Sequence, residues 1–269
     1  MILKKAFLFI KRDFLLSSSY RLSFALQLSG IFLSVLTFYF IALMFEGAAI
    51  PALEPYGGDY FSFVLIGVAF STFLFTGLGS FSGSIRNEQM MGTLEAMLVT
   101  PTRISLIILF SSLWSFIFAS IKVLIYLLLG VFLFNIDVTN ANLFAALIVL
   151  ILTIISFSSL GIISASFIMI FKQGDPVNWI FNTMSGLFGG VFFPITILPG
   201  WLQNISYILP ITYSLRAMRH ALLQGMSLKL LASDIFALVI FSIIMLPLSI
   251  FIFRYAIKRA KIDGSLTQY

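Results

Sequence analysis

Side chains able to do acid–base, nucleophilic or metal chemistry are few in this chain: ten carboxylates, one histidine (His220) and no cysteine. Without cysteine there is no disulfide, no thiolate nucleophile and no thiolate-held metal. A metal ion would need carboxylates for most of its ligands, and the ten acids are scattered. There is no HExxH pattern, and no nucleophile stands paired with the histidine. There is no GxxxxGK[ST] stretch, and no lysine is followed by serine or threonine. The chain therefore cannot form a phosphate-cradling loop and will not hydrolyse ATP by itself. Two groups of charges remain as candidates. Lys122 stands midway through an apolar run, where an ionised side chain is a functional candidate by default, although a lysine also snorkels or pairs with a neighbouring helix. Arg216 and Arg219 suit lipid phosphates, outer acids such as Asp59, or guidance of an anionic substrate.

These residues sit in a chain that is 60% hydrophobic and 10% charged, against about 25% charged for a soluble domain. Such a composition describes an integral membrane protein. The net charge of +6 is no nucleic-acid signal, because most basic residues flank apolar runs, where they set topology and meet anionic lipid. Apolar runs fall near 22–45, 60–83, 104–134, 143–171, 177–193 and 232–254. Segments 1–21, 84–103, 172–176 and 254–269 hold twelve of the sixteen basic residues, whereas 46–59 and 135–142 hold none. The positive-inside rule gives six spans with both termini in the cytoplasm. The 192–225 stretch is broken by Pro194, Pro199 and Pro210, so residues 194–231 read as short helices dipping back into the outer leaflet. Ser156, Ser158, Ser159, Gly161, Ser164, Ala165 and Ser166 give the fourth run a small-residue face that lets helix backbones approach closely. At the start, Leu3, Phe7, Ile10 and Phe14 recur at helical spacing opposite basic residues, as in a helix lying in the membrane surface. A basic flank that orients the first span is a compatible reading.

Between the second and third runs lies "RNEQMMGTLEAMLVTPTR", residues 86–103. Met90, Met91, Leu94, Met97 and Leu98 fall on one helical face, Glu88, Gly92 and Glu95 on the other, and Pro101 stops the run. This predicts a helix over 86–100 with its methionines against the spans and its acids open to the cytosol. The periodicity fits equally a solvated loop helix with no partner.

That stretch resembles the segment between spans two and three of the type-two ABC transporter permeases: an acidic residue, then Gly-Thr-Leu-Glu, then a proline. "FFPITILPGWLQNISYILPITYSLRAMRHALLQG", 192–225, is similar to that family's segment before the last span, and "KRDFLLSSSYR", 11–21, to its entry helix. The resemblance implies an all-α membrane protein of six transmembrane helices. It has an N-terminal amphipathic interface helix (1–21), a six-span bundle (22–254) and a cytoplasmic tail (255–269), all one transmembrane domain. It implies a coupling helix that docks on a separate ATPase subunit through Arg86, Glu88, Gly92, Thr93, Glu95 and Pro101. The turn at 172–176, with Lys172 and Asp175, would make a lesser contact. Re-entrant helices before the last span would place Phe193, Pro194, Arg216 and Arg219, with Lys122, near a substrate pathway or outer gate.

On this reading the chain is the non-enzymatic permease of an exporter in a bacterial or archaeal plasma membrane. It would be a homodimer among membrane lipids, with ATP and Mg held by the partner subunit and no nucleic acid bound. The expected substrate is an amphiphile, either a lipid, a drug-like molecule or a lipid-linked glycan. A stand-alone channel or secondary carrier is the alternative, against which the absence of acids from the run centres counts. A membrane enzyme acting on lipids fits poorly with so few catalytic groups.

Overall fold

The computed structural model describes residues 2–45, 50–93, 100, 104–171 and 174–262, and among these it is all helix and turn. Among the described residues nine α-helices follow one another: α1 (Ile2–Ser19), α2 (Arg21–Leu43), α3 (Tyr60–Met90), α4 (Ile104–Phe134), α5 (Leu143–Phe171), α6 (Pro176–Phe188), α7 (Gly200–Ile208), α8 (Pro210–Leu223) and α9 (Ala232–Ile262). Five of them, α2, α3, α4, α5 and α9, are long and apolar enough to cross a membrane. The sequence predicts six spans. The expected fifth run, 177–193, contributes the 13-residue α6, about 20 Å of helix against a hydrocarbon core of about 30 Å.

The ends of these helices follow from local chemistry. Asp59 caps α3, its carboxylate accepting from the amides of Phe61 (3.2 Å) and Ser62 (2.7 Å). Asn142 does the same for α5 through the amide of Ala145 (3.0 Å). Asp175 caps α6 through the amide of Asn178 (3.0 Å), with Pro176 in the first turn. Asn135, at φ 53°, closes α4 in the left-handed region that asparagine tolerates better than most residues.

Side-chain pairs fix the direction of each helix. Running side by side in the same direction, α2 and α4 join Phe24 to Phe118 (ring centroids 5.5 Å), Gln27 to Lys122 (2.9 Å) and Tyr39 to Phe134 (4.4 Å). Against α4, α3 runs the opposite way. Phe81 meets Phe116, while Gly130 near the end of α4 faces Leu65 near the start of α3. Along α5, α3 runs in the same direction, with Gly77 facing Phe157 and Gly161, and Phe81 and Ile85 clustering with Ala165 and Met169. The last helix, α9, shares that direction: Ser156 bonds Ser242 (3.0 Å), and Phe253, Ala256 and Ala260 join the same cluster.

Because α5 and α9 point the same way, the chain between them has to return. The return leg is α6 with the residues after it. Asn178 lies beside Gly79 and Val191 beside Gly67, a climb of twelve residues or about 18 Å along α3. The leg passes Gly190 (φ 77°), and beyond it the chain makes a 3₁₀ turn at Ile195–Ile197 and forms α7 and α8. Most of α8 is buried, packed among α3, α5 and α9.

At one tight crossing in the bundle α3 meets α5. A Cβ on Gly161 would lie 2.0 Å from the carbonyl oxygen of Gly77, and one on Gly77 would lie 2.6 Å from the Cβ of Phe157. Only hydrogen fits there, so the small-residue face read in the fourth run is used at this crossing. Gly161→Val should force the helices apart and cost about 1–3 kcal/mol or more, as overpacking does. Gly83→Ala, on α3 where a Cβ meets nothing within 4 Å, should leave stability unchanged or slightly raised. Thermal unfolding of the two variants in the same detergent checks the contrast.

Candidate functional site

Two ends of the bundle carry the charges singled out in the sequence, and they are built differently. At the first, α1 lies against α4, with Phe9 on Phe110 and Phe14 on Trp114 at ring-centroid distances of 5.8 and 5.3 Å. The C-terminal turns of α3 end beside them. Arg12 reaches from α1 to Glu88 of α3 (Nη1 to Oε1, 3.0 Å) and bonds its neighbour Asp13 (Nε to Oδ1, 2.7 Å). The other oxygen of Glu88 accepts a hydrogen bond from Thr93 Oγ1. One carboxylate thus ties α1 to the residues just past α3. Burial pushes the Asp13 carboxyl up, against the opposing pull of Arg12.

This geometry revises the predicted helix over 86–100. The chain stays in α3 as far as Met90 and breaks at Gly92 (φ 65°), a backbone conformation that glycine adopts without a Cβ penalty. Glu88 is not open to solvent. Its side chain is 13% exposed and engaged, whereas Met90 and Met91, expected against the spans, are 66% and 70% exposed. The cause is register: α3 overshoots the apolar run by seven residues, so its own turns aim Glu88 inward at Arg12. Arg86 is exposed. Glu95, Pro101 and Lys172 lie outside the described residues. Asp175, besides capping α6, accepts a hydrogen bond from Ser164.

Several cavities with polar groups in their walls open at this end, and two of them share a wall. One, of about 350 Å³, is lined by Arg12, Asp13, Glu88 and Thr93 together with Ser111 and Asn87. The other, of about 550 Å³, lies further along α4 and contains Lys122. Ser17, Trp114 and Ser115 line both. The indole of Trp114 donates to Ser17 Oγ (2.8 Å), so this pair forms the wall between them. Sequence reasoning passed over Arg12, Gln27 and Trp114 as site residues. The signal for Gln27 was present, since it is the one amide in the apolar run 22–45.

At the opposite end, Arg219 of α8 is 2% exposed and donates to three backbone carbonyls: Phe63 (3.0 Å), Gly190 (2.8 Å) and Val191 (2.9 Å). Its guanidinium also lies over the Phe63 ring, 3.4 Å from the centroid. Gly67 makes the room, because a Cβ there would sit 2.4 Å from the guanidinium and 2.2 Å from the carbonyl oxygen of Val191. Arg216 pairs with Asp234 of α9 through its Nε (3.0 and 3.1 Å to the two oxygens) and its Nη2. The acid that meets an arginine is therefore Asp234, and Asp59 is occupied in capping α3. Phe193 is half-buried, and Pro194 is buried at the start of the 3₁₀ turn. Among the described residues no three His, Asp or Glu side chains gather closely enough to hold a metal ion.

Residues 5–223 match the ABC-2 type transporter family. The chain is also similar to the protein named "Putative transport permease ycf38" from Cyanophora paradoxa: 28% identical over 225 residues, covering 80% of this chain and 73% of that one.

The three carbonyls held by Arg219 predict that neither lysine nor methionine replaces it. Arg219→Lys keeps the charge but puts its donors on one nitrogen, and both variants should lose about 3–5 kcal/mol of stability in thermal unfolding. Arg216→Lys, which retains one ion pair to Asp234, should lose about 1 kcal/mol. At the other end, a double-mutant cycle of Arg12→Gln and Glu88→Gln should return a coupling of about 0.5–1 kcal/mol that shrinks with added salt, because Arg12 is partly exposed.

Proposed function

Since the chain belongs to the ABC-2 type transporter family, we propose that it is the permease of an ATP-driven exporter whose ATPase is a separate subunit. The observation that carries the reading is the link from Arg12 through Glu88 to Thr93. It joins the surface helix to the start of the segment expected to couple, so a subunit docking on one engages both. The exposed methionines Met90 and Met91 and the exposed Arg86 beside them give such a subunit a mixed apolar and charged surface.

Six crossings with both termini on the cytoplasmic side fit the helix directions. In that arrangement α2 and α4 run outward, α3, α5 and α9 run inward, and α6 with 189–193 is a shortened fifth crossing. Residues 194–231 then turn back on the outer side, with α8 buried in the bundle and its Arg219 tied to the carbonyls of Phe63, Gly190 and Val191. The long helices α2 and α9 leave much of their surface uncovered, which suits a homodimer surrounded by lipid. The cargo on this reading is an amphiphile, be it a lipid, a drug-like molecule or a lipid-linked glycan, carried out of a bacterial or archaeal plasma membrane.

The test is a complex. Co-purified with its ATPase, the chain should appear in native mass spectrometry as two permeases with two ATPase subunits and export only when ATP is hydrolysed. A monomer that transports without nucleotide would return the carrier reading. Arg86→Glu should leave thermal stability within about 0.5 kcal/mol, as for an exposed site, yet weaken ATPase association about tenfold. Undiminished association would remove the docking surface from this end.

A further inference from the structure

The 550 Å³ cavity that contains Lys122 is walled by the α1–α2 corner, α3 and α4. We infer that it is a headgroup site for an anionic phospholipid drawn from the leaflet on the α1 side, with Lys122 as the counter-charge. The inference rests on binding alone and does not depend on the ATP-driven reading.

Three observations point to an anion. First, no carboxylate lines the cavity among the described residues. The partners of Lys122 are neutral: the amide oxygen of Gln27 at 2.9 Å and the face of Phe118 at 4.6 Å from its centroid. An ammonium has three donors, so a bond to Gln27 leaves others to point at a ligand. A lysine held among transmembrane helices is more stable with an anion beside it, because water screens it less there. Second, hydroxyl groups converge on the same space: Ser23, Thr76, Ser80 and Tyr20. The hydroxyl oxygen of Ser80 is buried with no hydrogen-bond partner, which a phosphate oxygen would supply. Third, an adjoining cavity of about 660 Å³ shares Tyr20, Ser23 and Gln27 with the first and is bordered by Arg21. A second cation thus stands at the mouth.

Depth and walls select a lipid over a soluble anion. Gln27 lies six residues into α2 from Arg21, about 9 Å along the helix, the depth of a headgroup and glycerol rather than of an acyl tail. Phe24, Phe118 and Trp114 follow one another along one wall, the first pair tilted and the second stacked, with centroid distances of 5.5 and 6.0 Å. Beside the mouth, Leu22 and Leu26 are exposed. A ligand entering sideways between these leucines brings its own apolar tail, and the aromatic wall receives it.

Trp114 lines the cavity and serves as the reporter once Trp179 and Trp201 are replaced by phenylalanine. The full-length chain in detergent is titrated with phosphatidylglycerol carrying a nitroxide on its headgroup, and quenching of Trp114 is followed. Saturable quenching is expected, with Lys122→Arg retaining it and Lys122→Gln raising the half-saturation concentration at least about tenfold. Phosphatidylcholine with the same label should quench weakly and without saturation, and inorganic phosphate at millimolar concentration should not compete. Equal quenching by the two lipids, or Lys122→Gln binding like the parent, overturns the anion site. Displacement by inorganic phosphate would make it a site for the free ion and overturn the lipid. Should Lys122→Gln not fold, the comparison of two lipids and phosphate on the parent protein still decides.

Discussion

One guanidinium, fully withdrawn from solvent, permits the irregular backbone between α6 and α8. Carbonyls outside a helix cost free energy wherever water cannot reach them, and in lipid they are tolerated only when protein satisfies them. Arg219 answers Gly190 and Val191 of that irregular segment and Phe63 in the first turn of α3, all with one planar group. Its geometry suits this work: five donors in a fixed plane, permanently charged, and stackable on an aromatic face. Gly67 is the complement, since any other residue at that position would displace both the arginine and the carbonyl of Val191. With these contacts made, α3 can be the most buried of the long helices and the others can be hung on it.

The bundle therefore has a polar structural knot at one end and a lighter polar contact at the other. Between them lie contacts of small residues and aromatics: the Gly77–Gly161 crossing, the Ser156–Ser242 bond, and the pairs Phe24–Phe118 and Tyr39–Phe134 between α2 and α4. The two cavities sit on the lighter side, separated by the bond from Trp114 to Ser17. Of the charges singled out in the sequence, Lys122 and Arg86 lie on that side as well.

How much of this was legible depends on range. The runs 104–134 and 143–171 coincide with α4 and α5, because hydropathy over a span is a local sum. The second and sixth runs mark the starts of α3 and α9 but not their ends, for helices continue as polar turns once they leave the hydrocarbon. That continuation is what misled the reading of 86–100: a periodicity that looked like a separate helix is, as far as Met90, the tail of α3. The 17-residue fifth run was visible, but not that only thirteen residues of it and its flank would be helical. Partners were least legible. Nothing local says that Arg216 meets Asp234, that Arg219 meets carbonyls, or that Lys122 meets Gln27, since each pairing is set by which helices come together. The family, by contrast, was readable from three short motifs and holds over most of the chain.

The unequal grips at the two ends of α3 have a mechanical consequence. One end is fastened by contacts that no solvent reaches, and the other by an ion pair whose arginine side chain is 36% exposed. A rod clamped at one tip and lightly tethered at the other behaves as a cantilever, with its fulcrum near Phe63 and its free play near Glu88. From Phe63 to the end of this 31-residue helix is about 40 Å, so a tilt of about 5° at the fulcrum carries the far tip about 3.5 Å. The tight crossing at Gly77 and Gly161 lies partway along and has to move with such a swing. The leverage runs both ways: a push of a few ångströms at the tethered tip arrives at the clamped end reduced to a slight rotation, large in angle only where the chain is free to follow.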